Sequence, residues 1–241
     1  MALDITELQA FYASPLGQMT RRILSARLRS IWPDLRGFSL AGVGYATGYL
    51  AIFRDEAERA IAMMPAKQGV CAWPRGGPCA SALVDPCLLP LGDASIDRAV
   101  IVHALEDCGS PSELLSEVWQ GTKPGGRIIV ITPNRRGLWA RIDTTPFGQG
   151  QPFSRAQLTA LLREALFTPE LMTEALFVPP LQRGLALRSA VALERAGHAL
   201  SLPFAGIHVI EAVKQVYRAL PAPRQRASRA RFVPALAPTG V

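Results

Sequence analysis

The sequence predicts an α/β fold, a doubly wound and mostly parallel sheet preceded by N-terminal helices. Three observations predict it. Strand-like and helix-like segments alternate from residue 37 onward. Two unbroken apolar runs, Ala99-Val100-Ile101-Val102 and Ile128-Ile129-Val130-Ile131, read as strands covered on both faces, which is the pattern of a parallel sheet flanked by helices. A glycine-rich turn, Gly42-Val43-Gly44-Tyr45-Ala46-Thr47-Gly48, closes the first strand-like segment.

Taken in order, Asp4 to Ile31 carries apolar residues at helical spacing, including Leu8, Phe11, Tyr12, Leu16, Met19, Leu24 and Leu28. Ser14-Pro15 splits it into two helices, because proline disfavours helix in the residue before it. Gly37 to Val43 reads as a strand and Thr47 to Arg54 as a helix. Ala60 to Met64 is a short apolar run, followed by a loop over Pro65 to Pro78. Ala82 to Val84 and Asp97 to His103 read as strands. Pro111 to Gly121 reads as a helix with Ser110 as N-cap. Gly126 to Thr132 is the clearest strand, and Pro133 to Pro152 reads as a loop. Ser154 to Leu166 is a capped amphipathic helix. Glu170 to Val178 reads as a strand, Leu181 to Leu200 as a helix and Gly206 to Val216 as the last strand. The chain beyond Pro221 is rich in Pro, Ala and Arg and reads as disordered.

The 241 residues are enough for one domain with additions, and 49% are hydrophobic against 19% charged, a globular balance. No run of ~18 uncharged apolar residues is present to span a membrane. Asp4 and Glu7 stand where a secretory leader carries basic residues, so a cytoplasmic protein is expected. The net charge is +7, but six basic residues and no acid follow Glu211, leaving 20 basic against 19 acidic residues in 1–211. A nearly neutral body is a poor nucleic-acid enzyme. Cys71, Cys79, Cys87 and Cys108 lack the close pairs of a zinc site. They read as free thiols, and no metal is expected.

Glycines at a strand-to-helix turn let a ligand approach the backbone closely. Two later stretches narrow the ligand. One is Leu89-Pro90-Leu91-Gly92-Asp93-Ala94-Ser95-Ile96-Asp97, with its strand and His103-Ala104-Leu105-Glu106-Asp107. The other is Glu113 to Trp119, then Lys123-Pro124-Gly125-Gly126-Arg127 and the strand Ile128 to Thr132. In this order they resemble the class I S-adenosylmethionine-dependent methyltransferases of the type 11 group, over residues 37–135.

The resemblance implies a seven-stranded Rossmann-like sheet and S-adenosylmethionine as cofactor. Gly42, Gly44, Tyr45, Ala46 and Gly48 would wrap its methionine portion. Met64 would lie at the ribose and pack on the adenine. Asp85, Pro86 and Cys87 would flank the adenine, with Asp85 accepting from the exocyclic amine. His103 and Leu105 would line the floor. With an ordinary pKa near neutrality and a place at the strand mouth, His103 reads either as catalytic base or as a hydrogen-bonded residue that fixes the loop, and Glu106 and Asp107 either as groups that orient it or as solvated surface. Asp97 would orient the fourth strand.

This sequence departs from the family pattern. Gly42 stands where the first motif carries an acid, Ala46 replaces its middle glycine, and Met63-Met64-Pro65 ends the second strand without a carboxylate. Each lost hydrogen bond to a charged group is worth ~1.5–3 kcal/mol. Losing both acids weakens cofactor binding by ~10²–10⁴-fold.

Arg135, Arg136 and Trp139, after the fifth strand, would hold an acidic or flat substrate. The expected organisation is an N-terminal helical lid (1–34), an α/β domain (35–220) and a basic tail (221–241). The expected activity is methyl transfer to a small molecule. The competing readings are a catalytically inactive scaffold of the same fold and, through the arginine-rich loop and tail, an RNA-binding or protein-docking role.

Overall fold

A computed structural model describes residues 3–180, 190–199 and 205–216. The N-terminal segment forms α1 (Ile5–Ala13) and α2 (Pro15–Ile31). The Asp4 side chain caps α1 by accepting from the Thr6 N–H, and Ser14 caps α2 by accepting from the Gly17 N–H, with Pro15 in the first turn. The corner between them needs Gly17, where a Cβ would lie 2.0 Å from the Phe11 carbonyl oxygen.

Then come β1 (Ser39–Gly44), α3 (Thr47–Leu50), β2 (Arg59–Pro65), β3 (Ser81–Val84), β4 (Ile96–Val102), α4 (Pro111–Gly121) and β5 (Thr122–Pro133). Two short 3₁₀ turns, α5 (Arg155–Glu164), β6 (Phe167–Ala175), α6 (Ala190–Ala199) and β7 (Ile207–Lys214) complete the described chain. The strands form one sheet of seven in the order β3-β2-β1-β4-β5-β7-β6. Pairing is parallel from β3 to β5, and β7 runs antiparallel to both β5 and β6. The mostly parallel α/β fold read from the sequence is therefore the fold observed.

Neighbouring residues on each central strand serve opposite faces. Leu40, Val100, Val102, Ile129 and Ile131 pack beneath α1, α2 and α3. Ala41, Val43, Ile101, Ile128 and Val130 pack beneath α4 and α5. Asp97 accepts from the Ser39 N–H at 2.9 Å and from the Lys123 ammonium at 2.8 Å, tying β4 to the start of β1 and to β5. It orients the strand, as expected.

Several boundaries differ from the sequence reading. α3 is a single turn, not the expected Thr47–Arg54, and irregular turns carry the chain on to β2. β5 starts four residues early, and β6 spans Phe167–Ala175 rather than Glu170–Val178. Ser110 precedes α4 but makes no capping bond through its side chain. Residues 181–189 of the expected long helix, and the basic tail, lie outside the described residues.

Candidate functional site

Strand order reverses direction between β1 and β4, so the crevice opens at their carboxyl ends. β1 ends at Gly44, φ +85°, and the next N–H, of Tyr45, donates to Val102 O at 2.9 Å. A Cβ at Gly44 would lie 2.1 Å from that carbonyl, so only glycine lets the two strand ends close.

His103 follows β4 with φ +52°, a left-handed conformation uncommon for a side-chain-bearing residue. It is over-determined by its neighbours. Its carbonyl accepts from the buried Gln68 amide at 2.8 Å. Its Nε2 lies 2.8 Å from Tyr12 Oη, which lies 2.9 Å from Tyr49 Oη. Its Nδ1 faces Glu106 Oε1 at 3.3 Å, both side chains being fully buried. Phe147 closes the ring's side at 4.6 Å between centroids.

Burial, and then the neighbouring tyrosine, pushes the Tyr12 phenol well above its ordinary pKa, and burial raises Tyr49 too. Both therefore stay protonated. One arrangement serves this chain best: Tyr49 donates to Tyr12, Tyr12 donates to Nε2, and Nδ1–H points at Glu106. Neither Glu106 oxygen nor His103 Nδ1 has a hydrogen-bond partner among the described residues, so the 3.3 Å approach of the imidazole is the polar contact that offsets the burial of the Glu106 carboxyl group.

A cavity of about 300 Å³ opens beside His103, at the lower end of small-ligand pockets. Pro65 borders it from the end of β2, Asp85, Pro86 and Cys87 from the segment after β3, and His103 and Ala104 from the segment after β4. Asp85 is exposed, and its Oδ1 accepts from the Cys87 N–H at 2.9 Å. Burial, with Cys108 beside it, pushes the Cys87 thiol up to about 12, so it remains neutral. A second groove, of about 750 Å³, holds Tyr12, Tyr45, Thr47 and Gly48. Tyr12 belongs to this groove and touches His103 on the wall of the first, so its phenol stands between the two.

The structure thus brings together Asp85, Pro86, Cys87 and His103 from the expected set. Tyr45 and Gly48 face the second groove, and Tyr45 stacks on Tyr12 with centroids 5.3 Å apart. The others require correction. Gly42 and Ala46 are packed into the core, where a Cβ on Gly42 would lie 2.7 Å from that of Ala46. Met64 is fully buried beneath the N-terminal helices, its sulfur facing the Cys71 N–H at 3.4 Å, rather than lying on a ligand. Leu105 is buried on the other face with α4. Trp139 is fully buried, donating to Val178 O at 2.8 Å, and offers no ring to a substrate. Arg135 lines a separate groove with Pro111, Gln151 and Glu164, and Arg136 points to solvent. Asp107 borders the cavity while Glu106 meets His103.

Tyr12, Gln68 and Phe147 escaped the sequence reading. Tyr12 was legible only as one apolar position in a helical stripe, and nothing local marks Gln68 or Phe147. Among the described residues, no group of three or more His, Cys, Asp or Glu is placed to hold a metal. None of their helices is long and apolar enough to cross a membrane.

A family model described as a methyltransferase domain matches residues 40–130. The resemblance to the class I methyltransferases holds there. A curated relative from Mycolicibacterium smegmatis, described as a probable S-adenosylmethionine-dependent methyltransferase, is 37% identical over 84 residues. That match covers 34% of this chain, and the chain spans about a third (32%) of the relative's length.

Solved structures share the fold. A chain of the complex containing the Trm112 methyltransferase activator of Haloferax volcanii matches with TM-score 0.64 at 17% identity, over 90% of this chain and 99% of that one. The [4+2]-cyclase SpnF matches with TM-score 0.59 at 22% identity, over 83% of each chain. A possible histamine N-methyltransferase from Thermotoga maritima matches with TM-score 0.59 at 19% identity, over 88% and 96%. These likenesses establish the seven-stranded methyltransferase fold. The cyclase among them illustrates that fold alone does not fix the reaction.

Proposed function

We propose that this chain is an S-adenosylmethionine-dependent methyltransferase acting on a small-molecule acceptor in the cytoplasm, with α1 as a lid over its reaction crevice. The observation that carries the reading is the 300 Å³ cavity at the tips of β2, β3 and β4, with His103 in its wall.

The residues present fit the cofactor's adenosyl end and not, with α1 seated, its amino-acid end. The cavity offers Pro86 and Ala104 to a flat base and Asp85 to its amine. The Tyr12 ring stacks on Tyr45 and its hydroxyl meets His103, which fills the space between the glycine turn and the end of β4. Cofactor entry therefore requires α1 to withdraw. Without the family's two acids, affinity rests on the cavity and on the backbone of the glycine turn.

When bound, the cofactor supplies a methyl group already activated on a sulfonium. The chain's own work is orientation and proton management. Once Tyr12 leaves, His103 Nε2 is free to accept the proton of an acceptor hydroxyl, and Glu106 faces the Nδ1–H of the resulting imidazolium. Phe147 and Gln68 hold the ring and its backbone in place.

Titration calorimetry with S-adenosylhomocysteine tests the reading. One-to-one uptake is expected, and Gly109→Trp, at a cavity border where a side chain meets open space, should abolish it. No uptake at millimolar ligand would contradict the reading. Labelled methyl transfer into a panel of small hydroxyl compounds should then fall ~10²-fold in His103→Asn, a variant that tolerates the positive φ. Binding without any transfer across hydroxyl and amine panels would point to a scaffold of the same fold.

A further inference from the structure

Three arginines from three separate elements line the 750 Å³ groove on the outer side of Tyr12: Arg21 of α2, Arg54 after α3 and Arg75 of the β2–β3 loop. The Arg21 stem crosses the glycine turn, its Cδ 3.1 Å from where a Cβ on Gly48 would stand. Arg54 reaches toward the loop that carries Arg75, with Nη2 3.9 Å from a Cβ position on Gly77.

Among the described arginines outside this groove, three find carboxylates. Arg29 meets Glu56, Arg36 meets Asp34, and Arg127 meets both Glu170 and Glu211. Among the described residues, Arg21, Arg54 and Arg75 form no ion pair, and Asp55 is the acid on the groove wall. Their positive field reaches the inner wall, where Arg21 and Arg75 oppose the upward push of burial on the Tyr45 phenol.

We propose that this groove binds the phosphate of a phosphorylated small-molecule acceptor. Three guanidiniums against one carboxylate leave an excess that suits a dianion, and their planar forks match phosphate oxygens in pairs. The amino-acid end of the cofactor, a zwitterion without net charge, does not call for three cations. The groove meets the crevice at Tyr12 and Tyr45, so an anchored phosphate would present the rest of its molecule to His103 when α1 withdraws. The assignment to an acceptor rests on the methyltransferase reading. It also relocates the anionic contacts that the sequence had assigned to Arg135 and Arg136.

The test uses the full chain and phenyl phosphate as probe, with phenol as its uncharged control. Calorimetry should give saturable binding of phenyl phosphate that weakens as salt rises, with phenol at least tenfold weaker. The triple variant Arg21→Gln, Arg54→Gln, Arg75→Gln should lose at least tenfold for phenyl phosphate and keep its affinity for S-adenosylhomocysteine within threefold. Its melting temperature checks the fold. Equal binding by wild type and variant, or none by either, overturns the site. One-for-one displacement of phenyl phosphate by S-adenosylhomocysteine overturns it in favour of a cofactor subsite. Phenyl phosphate binding without any uptake of S-adenosylhomocysteine removes the acceptor assignment and counts against the methyltransferase reading instead.

Discussion

Tyr12 Oη lies 2.8 Å from His103 Nε2, across 91 residues of sequence, and both groups are shut away from solvent. That contact joins α1 to the residue that follows β4, in the crevice where the proposed reaction would occur. In the proposed role of His103 as base, a nitrogen already engaged by an internal phenol is a base held in reserve. Opening the crevice must break this bond and the Tyr12–Tyr49 bond beside it.

Removing the Tyr12 hydroxyl tests how much the latch contributes. Tyr12→Phe leaves His103 Nε2 and Tyr49 Oη buried without their partner, at a cost of ~1–3 kcal/mol. Tyr49→Phe leaves the Tyr12–His103 bond in place and should cost ~0.5–1.5 kcal/mol. Urea unfolding of the two variants gives the comparison. A Tyr12→Phe cost no larger than that of Tyr49→Phe would contradict the latch.

The glycine turn has been repacked so that the missing acid cannot simply be restored. A Cβ on Gly42 meets Ala46 Cβ and Leu50 Cδ1, each at 2.7 Å. Gly42→Ala should therefore cost ~1–3 kcal/mol by overpacking. Ala46→Gly should recover part of that loss in the Gly42→Ala background, while destabilising the wild type by ~0.5–1 kcal/mol. A double-mutant cycle on urea midpoints measures the coupling, expected at ~0.5–2 kcal/mol. Strict additivity would show that the two positions do not share one space.

His208, buried in β7, makes stability depend on pH. Burial and then the Arg155 charge push its imidazole down to about 4. Below pH ~6.5 the unfolded chain takes up a proton there that the folded chain refuses until about pH 4. Stability from this group therefore falls as pH drops through that window and levels below it, by on the order of 3 kcal/mol. Glu174, whose carboxyl burial pushes up, contributes the opposite slope. Subtracting the His208→Gln profile from wild type reports the histidine together with its 3.5 Å contact to Glu174, and a flat difference between pH 7 and 4 in both the wild-type and the Glu174→Gln backgrounds would refute its neutral burial.

Much of the fold was legible because it rests on local patterns. The runs 99–102 and 128–131 are apolar at every position, and only a sheet covered on both faces requires that. The cap of α5 was visible as Ser154 beside helical spacing, and the start of α2 as the break at Ser14-Pro15. His103 and Asp85 were legible through their places after strands. What escaped depends on tertiary packing. Met64 was assigned to a ligand because it ends β2, but the loop after it folds over its sulfur. Trp139 sits in an arginine-rich stretch that reads as a loop, yet Gly206 leaves it room, since a Cβ there would lie 2.2 Å from the indole. Tyr12 acts at a distance that no window of sequence spans.

The most direct test of the account is the affinity for S-adenosylhomocysteine of wild type and of Tyr12→Ala, measured by calorimetry at one pH and salt. If α1 must withdraw for the ligand to enter, weakening its seat removes a competing state, and the variant should bind at least tenfold more tightly. Equal or weaker binding by Tyr12→Ala, in a protein whose sheet still unfolds cooperatively, would contradict the claim that the Tyr12 phenol occupies the ligand's space.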